Sequence, residues 1–109
     1  MTLQRLRGMH DIFGEDARLF QYVERTAHAV FARFGYDEIR TPVLESTELF
    51  VRSVGESSVI VNKEMFTFER SGDRLTLRPE NTAGVARAYV EHQLAQKGAV
   101  AKLYYLGSQ

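Results

Sequence analysis

The sequence predicts an α+β protein in which two helices pack on a small, largely antiparallel sheet. Three observations lead to this fold class: a long helical periodicity near the start, a strand pair joined by turn residues, and a second helix directly after that pair. The chain has 109 residues, of which 44% are hydrophobic and 26% charged. This composition is typical of one globular domain, which we expect to cover residues 1–109.

The first helix is predicted over residues 15–34. Its apolar or small residues recur at the three-and-four spacing of one helix face: Leu19, Val23, Thr26, Ala27, Val30, Phe31 and Phe34. Glu15 and Asp16 suit the positive end of the helix dipole, and Gly35 is the residue type that commonly ends a helix in the left-handed conformation.

An extended segment, YDEIRTP, follows at residues 36–42. Pro42 disfavours a helical Thr41 and lacks a backbone donor, so this strand is expected at a sheet edge or an interface. The next stretch, VLESTELFVRSVGE, predicts a short helix that begins at Ser46 or Thr47 and ends at Gly55. Its expected buried residues are Leu49, Phe50 and Val54. Residues 59–63 have no clear periodicity.

A β-hairpin is predicted next, because Phe66 and Phe68 alternate with polar residues before the turn Ser71-Gly72-Asp73, as do Leu75 and Leu77 after it. A helix capped by Asn81 or Thr82 should then run to about Leu94, although Gly84 weakens it by roughly 1 kcal/mol relative to alanine. The expected inner face of this helix is Ala83, Ala86, Tyr89, Val90 and Leu94. KLYYLG, at residues 102–107, predicts a last strand.

Charge and composition exclude several classes of function. Fourteen basic and fourteen acidic residues cancel, so no overall field attracts nucleic acid or an anionic membrane. The chain has no cysteine, and nowhere has the run of about 18 apolar residues that spans a bilayer. We therefore expect a soluble cytoplasmic protein without a cleaved signal peptide or a membrane partner. No phosphate-binding glycine loop is present, and the spacing of His10, His28 and His92 predicts no metal site.

The most informative stretch is LTLRPENTAGVARAYVEH, residues 75–92. It places Glu80 where a strand becomes a helix, beside the free N–H groups of the helix start. A carboxylate there could bind the ammonium group of an amino acid, with Asn81 and Thr82 as neutral partners. Two structural interpretations stay open: Glu80 favours the helix dipole or pairs with Arg78, and Thr82 is only a cap.

Five stretches in order resemble the histidyl-tRNA synthetase family: RGMHDIFGEDA, GYDEIRTPVLESTELFVRSVGE, NKEMFTF, LTLRPENTAGVARAYVEH and LYYLG. The resemblance covers residues 7–107. It implies the amino-terminal part of a class II aminoacyl-tRNA synthetase catalytic domain, an antiparallel sheet flanked by helices. The long helix and the strand that ends in Pro42 are similar to class II motif 1, which implies a homodimer interface there.

The resemblance also implies a substrate site. Glu80 would bind the α-amino group of L-histidine, with Asn81 and Thr82 nearby, and the arm at Arg7 and Gly8 would lie near the active site or contact tRNA. The implied reaction uses ATP and Mg²⁺ to form histidyl-adenylate, and then transfers the histidyl group to tRNA(His).

The sequence departs from the family pattern at Asn81, where relatives usually have glycine, and at Gly14 and Ser108, where prolines are commoner. An asparagine side chain at this position is expected to reduce the volume of the pocket. The arginines of motif 2, motif 3 and the anticodon-binding domain are absent, so a fragment without catalytic residues and without aminoacylation activity of its own is expected. Two alternatives remain: a histidine-sensing regulatory subunit of ATP phosphoribosyltransferase, and a non-catalytic dimerisation piece.

Overall fold

The computed structural model describes residues 2–54, 65–98 and 100–108. The chain divides into two compact units, residues 1–36 and residues 37–109. The predicted helix end at Gly55 and the segment 59–63 lie outside the described residues.

The first unit contains helix α1, Gly14–Arg33, which confirms the predicted helix to within one residue at each end. Glu15 and Asp16 lie in its first turn, and Gly35 follows its end with a φ of +76°. None of the α1 residues is buried. In the described part of the chain, no helix is both long enough and apolar enough to cross a membrane.

In the described residues of the second unit, five strands form two sheets. β2 (Leu44–Ser46), β3 (Thr67–Arg70) and β4 (Asp73–Leu77) form an antiparallel sheet in the order β2-β4-β3. β1 (Asp37–Glu38) and β5 (Leu103–Tyr104) pair in parallel. The expected small antiparallel sheet is therefore present, and a parallel pair accompanies it.

The segment on either side of Pro42 differs from its prediction. The strand expected over residues 36–42 is the two-residue β1, and β2 lies in the stretch for which the sequence predicts only a short helix that begins at Ser46 or Thr47. The prediction was wrong there because the chain stays extended after Pro42 and pairs with β4. The Arg78 amide donates to the carbonyl oxygen of Val43 at 2.9 Å, and Glu45 lies opposite Thr76.

The predicted hairpin of β3 and β4 is confirmed. Ser71 and Gly72 form its two-residue turn, and their φ values of 53° and 85° are the positive ones that a tight hairpin with right-handed twist requires. The buried face of this hairpin carries threonine. Thr76 is fully buried, and its hydroxyl lies 2.9 Å from that of Thr67 and 2.7 Å from that of Thr47.

The apolar side chains that predicted the hairpin lie on the opposite face of the sheet. Phe66 and Phe68 are exposed, and so is Leu77. The apolar alternation therefore identified the strands correctly. The face of the sheet that carries Thr76 is the one that the helix beginning at Thr47 covers.

The helices described in the second unit are α2 (Thr47–Val54), α3 (Thr82–Glu91) and the short 3₁₀ helix Leu94–Lys97. Phe50 of α2 is 2% exposed, which confirms its predicted burial. Helix α3 ends before the predicted Leu94, because Gln93 adopts a left-handed φ of 55°.

The inner face of α3 differs from the prediction. Its buried residues are Ala83, Gly84 and Ala88, so only Ala83 was assigned correctly. Ala86, Tyr89 and Val90 are exposed. The apolar period failed here because α3 packs through its smallest side chains, which let its backbone lie close to β2.

A buried ion pair joins α3 to β2. The Glu45 carboxylate is 8% exposed, and its Oε1 lies 3.0 Å from Nε of Arg87, while Oε2 lies 3.1 Å from Nη2. The hydrogen bond with Glu45 is the main cause that raises the pKa of Arg87. Arg87 also contacts Glu91 one turn later, at 2.7 Å.

Gly84 makes this approach possible. A Cβ atom on Gly84 would lie 2.9 Å from Oε2 of Glu45, and 3.4 Å from both Oδ1 of Asn81 and Oγ1 of Thr41. Glycine has a low helix propensity, but at position 84 the close packing of α3 against Glu45 requires it.

We expect the Gly84→Ala substitution to lower the free energy of unfolding by about 1–2 kcal/mol, because the new methyl group displaces the Glu45 carboxylate from Arg87. Urea unfolding followed by circular dichroism measures this. At the exposed position 86 in the same helix, alanine should be the more stabilising of the two residues, so Ala86→Gly should lower the free energy of unfolding by about 1 kcal/mol. A Gly84→Ala chain more stable than the parent would contradict the close contact.

We also expect Arg87→Met to cost about 2–3 kcal/mol of stability, because the buried Glu45 carboxylate would lose its cationic partner. The figure is below that of a fully buried pair, since the Arg87 side chain is 30% exposed. The same unfolding measurement applies. Glu91→Gln removes only the exposed partner of Arg87 and should change stability by less than about 0.5 kcal/mol. Equal effects of the two substitutions would be incompatible with the burial of Glu45.

Candidate functional site

The candidate site is the 78–82 loop, which runs from the end of β4 into the first residue of α3. The Arg78 amide donates to the carbonyl oxygen of Val43, so the loop begins while still paired to the segment before β2. Asn81 is the residue immediately before α3, and its side chain makes no capping hydrogen bond. The predicted cap of α3 by Asn81 or Thr82 is therefore not present.

The carboxylate of Glu80 caps α3 instead. Its Oε2 accepts a hydrogen bond from the amide of Thr82 at 2.6 Å, and its Oε1 accepts one from the amide of Ala83 at 3.2 Å. These are two of the amides that a helix start leaves without an intrahelical partner. A carboxylate can accept about four hydrogen bonds, so this half-buried group keeps acceptor positions for a ligand.

The alternative in which Glu80 pairs with Arg78 is not what the structure shows. The Arg78 guanidinium donates to the carbonyl oxygens of Thr41 at 3.0 Å, Pro42 at 3.5 Å and Ser108 at 3.0 Å. The Arg78 cation therefore links the 78–82 loop to the Thr41-Pro42 segment and to Ser108. The Glu80 anion is held by backbone amides.

Asn81 points into the second unit. It is 4% exposed, and its Oδ1 accepts a hydrogen bond from the Thr41 hydroxyl at 2.5 Å. The side chain thus fills space beside Thr41 and Gly84. The sequence instead predicts that it reduces the volume of a ligand pocket.

Thr82 lies on the exposed side of the same turn and lines a groove of about 410 Å³. Val85 and Tyr89 of α3 form one wall of the groove, and Leu103 and Tyr105 lie on the other. This groove gives space for a small ligand beside Thr82, but the Glu80 side chain is not part of its lining.

The other predicted site residues, Arg7, Gly8 and Pro42, lie outside the 78–82 loop in sequence, and the carbonyl oxygen of Pro42 accepts a hydrogen bond from Arg78 of that loop. Arg7 and Gly8 belong to the first unit, where Gly8 has a φ of +84° and the Met9 amide donates to the carbonyl oxygen of Leu6. Pro42 is exposed and lies between β1 and β2. The contact of the arm with tRNA and the dimer role of Pro42 stay predictions.

Comparison with known proteins identifies the family. The family model described as histidyl-tRNA synthetase matches residues 8–109 of the chain. The chain belongs to the histidyl-tRNA synthetase family. A histidine--tRNA ligase from Syntrophotalea carbinolica is 51% identical over 98% of the chain, which corresponds to 26% of that relative. The chain thus spans about a quarter of the length of the histidyl-tRNA synthetase relatives it matches.

Two solved structures extend the similarity. The apo histidyl-tRNA synthetase of S. aureus is 38% identical, with a TM-score of 0.82 over 95% of this chain and 24% of that one. A protein from Bacillus halodurans C, described as an ATP phosphoribosyltransferase regulatory subunit/histidyl-tRNA synthetase, is 27% identical, with a TM-score of 0.77 over 98% of this chain and 27% of that one. The partial class II synthetase fold is confirmed.

Sequence reasoning missed three residues that shape this part of the histidyl-tRNA synthetase fold: Thr41, Glu45 and Arg87. Nothing in their local patterns indicated contacts with residues about 40 positions away. Gly84 was the one available signal, because an isolated glycine in a helical pattern often marks a close approach.

We expect Glu80→Ala to lower the free energy of unfolding by about 1 kcal/mol without any ligand present, because two amides of α3 lose their acceptor. Thermal unfolding measures the loss. Glu80→Gln keeps one oxygen acceptor for these amides, so its free energy of unfolding should fall by less than that of Glu80→Ala. Equal stability of Glu80→Ala and the parent would rule out the cap.

Proposed function

We propose that the chain forms the amino-terminal part of the catalytic domain of a histidine--tRNA ligase and contributes part of its histidine site. One observation carries this proposal: in a chain of this family, backbone amides at the start of α3 hold both oxygens of the half-buried Glu80 carboxylate. A carboxylate held in this way suits the ammonium group of a free amino acid.

The carboxylate would act through charge and orientation. The amides of Thr82 and Ala83 hold both of its oxygens, so little rotamer freedom remains to be lost when an ammonium group binds. The Thr82 hydroxyl would supply a second, neutral contact to the same substrate. Asn81 would contribute by shaping the loop that carries Glu80.

The complete ligase would activate L-histidine with ATP and Mg²⁺ and transfer the histidyl group to tRNA(His), with catalysis largely by positioning and neutralisation of phosphate charge. Among residues 2–54, 65–98 and 100–108, no group of three or more His, Cys, Asp or Glu side chains could hold a metal ion. By the resemblance, the arginines that bind ATP belong to motif 2, in another part of the ligase.

Three further features of the ligase are proposed from family membership. The helix α1 and the segment that ends at Pro42 would take part in a homodimer interface. Arg7 and Gly8 would lie near the active site or contact tRNA. The ligase would act in the cytoplasm.

A second candidate function is the histidine-sensing regulatory subunit of ATP phosphoribosyltransferase. The Bacillus halodurans C structure favours it, because its description joins that subunit with the synthetase. The higher identity to the Syntrophotalea carbinolica ligase, 51% against 27%, favours the ligase.

The proposal is tested in a chimera in which residues 2–108 replace the matching segment of the Syntrophotalea carbinolica ligase. We expect the chimera to charge tRNA(His) and the 109-residue chain alone not to. Glu80→Gln in the chimera should raise KM for histidine by about tenfold or more, because the ammonium group loses its charged partner. Steady-state aminoacylation measures both results.

Glu91→Gln is the matched control, since it removes an exposed carboxylate from the same helix. If both glutamine variants have the same KM for histidine, Glu80 does not bind the substrate. Histidine binding by the chimera without charging of tRNA would favour the regulatory subunit.

A further inference from the structure

Thr41 contacts both residues that flank the Pro79-Glu80 pair. Its carbonyl oxygen accepts a hydrogen bond from Nη1 of Arg78 at 3.0 Å, and its hydroxyl donates to Oδ1 of Asn81 at 2.5 Å. The same Nη1 atom of Arg78 lies 3.4 Å from the Thr41 hydroxyl. One residue between β1 and β2 thus holds the 78–82 loop on both sides of its carboxylate.

Most of these contacts are sheltered from water. Asn81 is 4% exposed, and Thr41 and Arg78 are half-buried. The amide oxygen of Asn81 lies in a closely packed part of the unit, because a Cβ atom on Gly84 would lie 3.4 Å from it and 2.9 Å from Oε2 of Glu45. Loss of the Thr41 hydroxyl would therefore leave a buried acceptor without its donor, which favours movement of the loop.

The carboxylate of Glu80 has a different kind of support. Its hydrogen bonds go to the amides of Thr82 and Ala83, within its own turn. These bonds orient the carboxylate relative to α3, but they do not set where that turn lies relative to β4. Arg78 and Asn81 do so, and both are held by Thr41.

We infer that Thr41 is a positioning residue for the Glu80 carboxylate, acting through Arg78 and Asn81. The inference rests on the proposed function, in which Glu80 binds the ammonium group of histidine. Thr41 would then determine how well the site recognises a free α-amino group, and would contribute nothing to recognition of the rest of the substrate.

The test compares Thr41→Val with Thr41→Ser in the chimera. Valine keeps the shape and the β-branch that suit an extended residue before proline, but it removes the hydroxyl, whereas serine keeps the hydroxyl. We expect valine to weaken histidine binding by about threefold to tenfold, the usual effect of one lost hydrogen bond, and serine to restore it to within about twofold of the parent. Isothermal titration calorimetry measures the dissociation constants.

Binding of a second ligand shows whether Thr41 positions Glu80 specifically or supports the whole site. The desamino analogue 3-(imidazol-4-yl)propanoate keeps the ring and the carboxylate of histidine and lacks the ammonium group. Thr41→Val should leave the affinity for this analogue within about twofold of the parent, because only the contact with Glu80 is disturbed. Damage to the whole site would weaken both ligands alike.

Asn81→Ala provides an independent variant that removes the acceptor and leaves Thr41 in place. It should weaken histidine binding to the same extent, and the double variant with Thr41→Val should be no weaker than either single one, because both break the same hydrogen bond. If Thr41→Val does not fold, Asn81→Ala with the two ligands gives the same answer.

Thr67→Val is the matched control, because it removes a hydroxyl that bonds to Thr76 in the same unit, away from the loop. Unchanged histidine affinity in Thr41→Val and Asn81→Ala, or an equal loss for both ligands, would overturn the inference while Glu80→Gln still weakens histidine binding. Failure of Glu80→Gln itself to weaken binding would instead overturn the proposed function.

Discussion

The arrangement of the second unit depends on how closely α3 can approach β2. Gly84 leaves no space for a Cβ atom between the helix backbone and the Glu45 carboxylate. Because of this short separation, Arg87 reaches Glu45 with two hydrogen-bonding nitrogens, and Asn81 reaches Thr41. A larger residue at position 84 would disturb both the ion pair and the contact of Asn81, near the end of the candidate loop, with Thr41. The packing of α3 against β2 and the geometry of the candidate loop therefore both depend on the small size of Gly84.

The carboxylate of Glu80 serves as a helix cap and as a candidate ligand group, and these roles support each other. Two backbone amides at a helix start donate hydrogen bonds to the carboxylate and fix its direction. The remaining acceptor positions are then available to a cation without further ordering of the side chain. The structural interpretation of Glu80 as a group that favours the dipole is thus correct, and it leaves the proposed binding of histidine in place.

Asn81 shows how a departure from the family pattern can be read only in three dimensions. In the sequence, an asparagine where relatives usually have glycine suggested a side chain near the ligand. In the structure, that side chain is buried and accepts a hydrogen bond from Thr41, 40 residues earlier in the chain. Histidyl-tRNA synthetase family membership identifies the loop, but the partners of its residues come from the β1–β2 connection and from the residues near Ser108.

The sequence by itself determined the local elements. Periodicity located α1, the turn residues Ser71-Gly72-Asp73 located the β3–β4 hairpin, and the charge behind Arg78-Pro79 located the candidate loop. Only the tertiary structure decided which faces are buried. The hairpin buries Thr76 and exposes Phe66, and α3 packs through Gly84 and Ala88, whereas the apolar pattern placed Tyr89 and Val90 on the inner face of α3. The physical reason is that periodicity reports the hydrophobicity of each face, whereas burial depends on which neighbouring backbone can come close enough to exclude water and satisfy the polar groups.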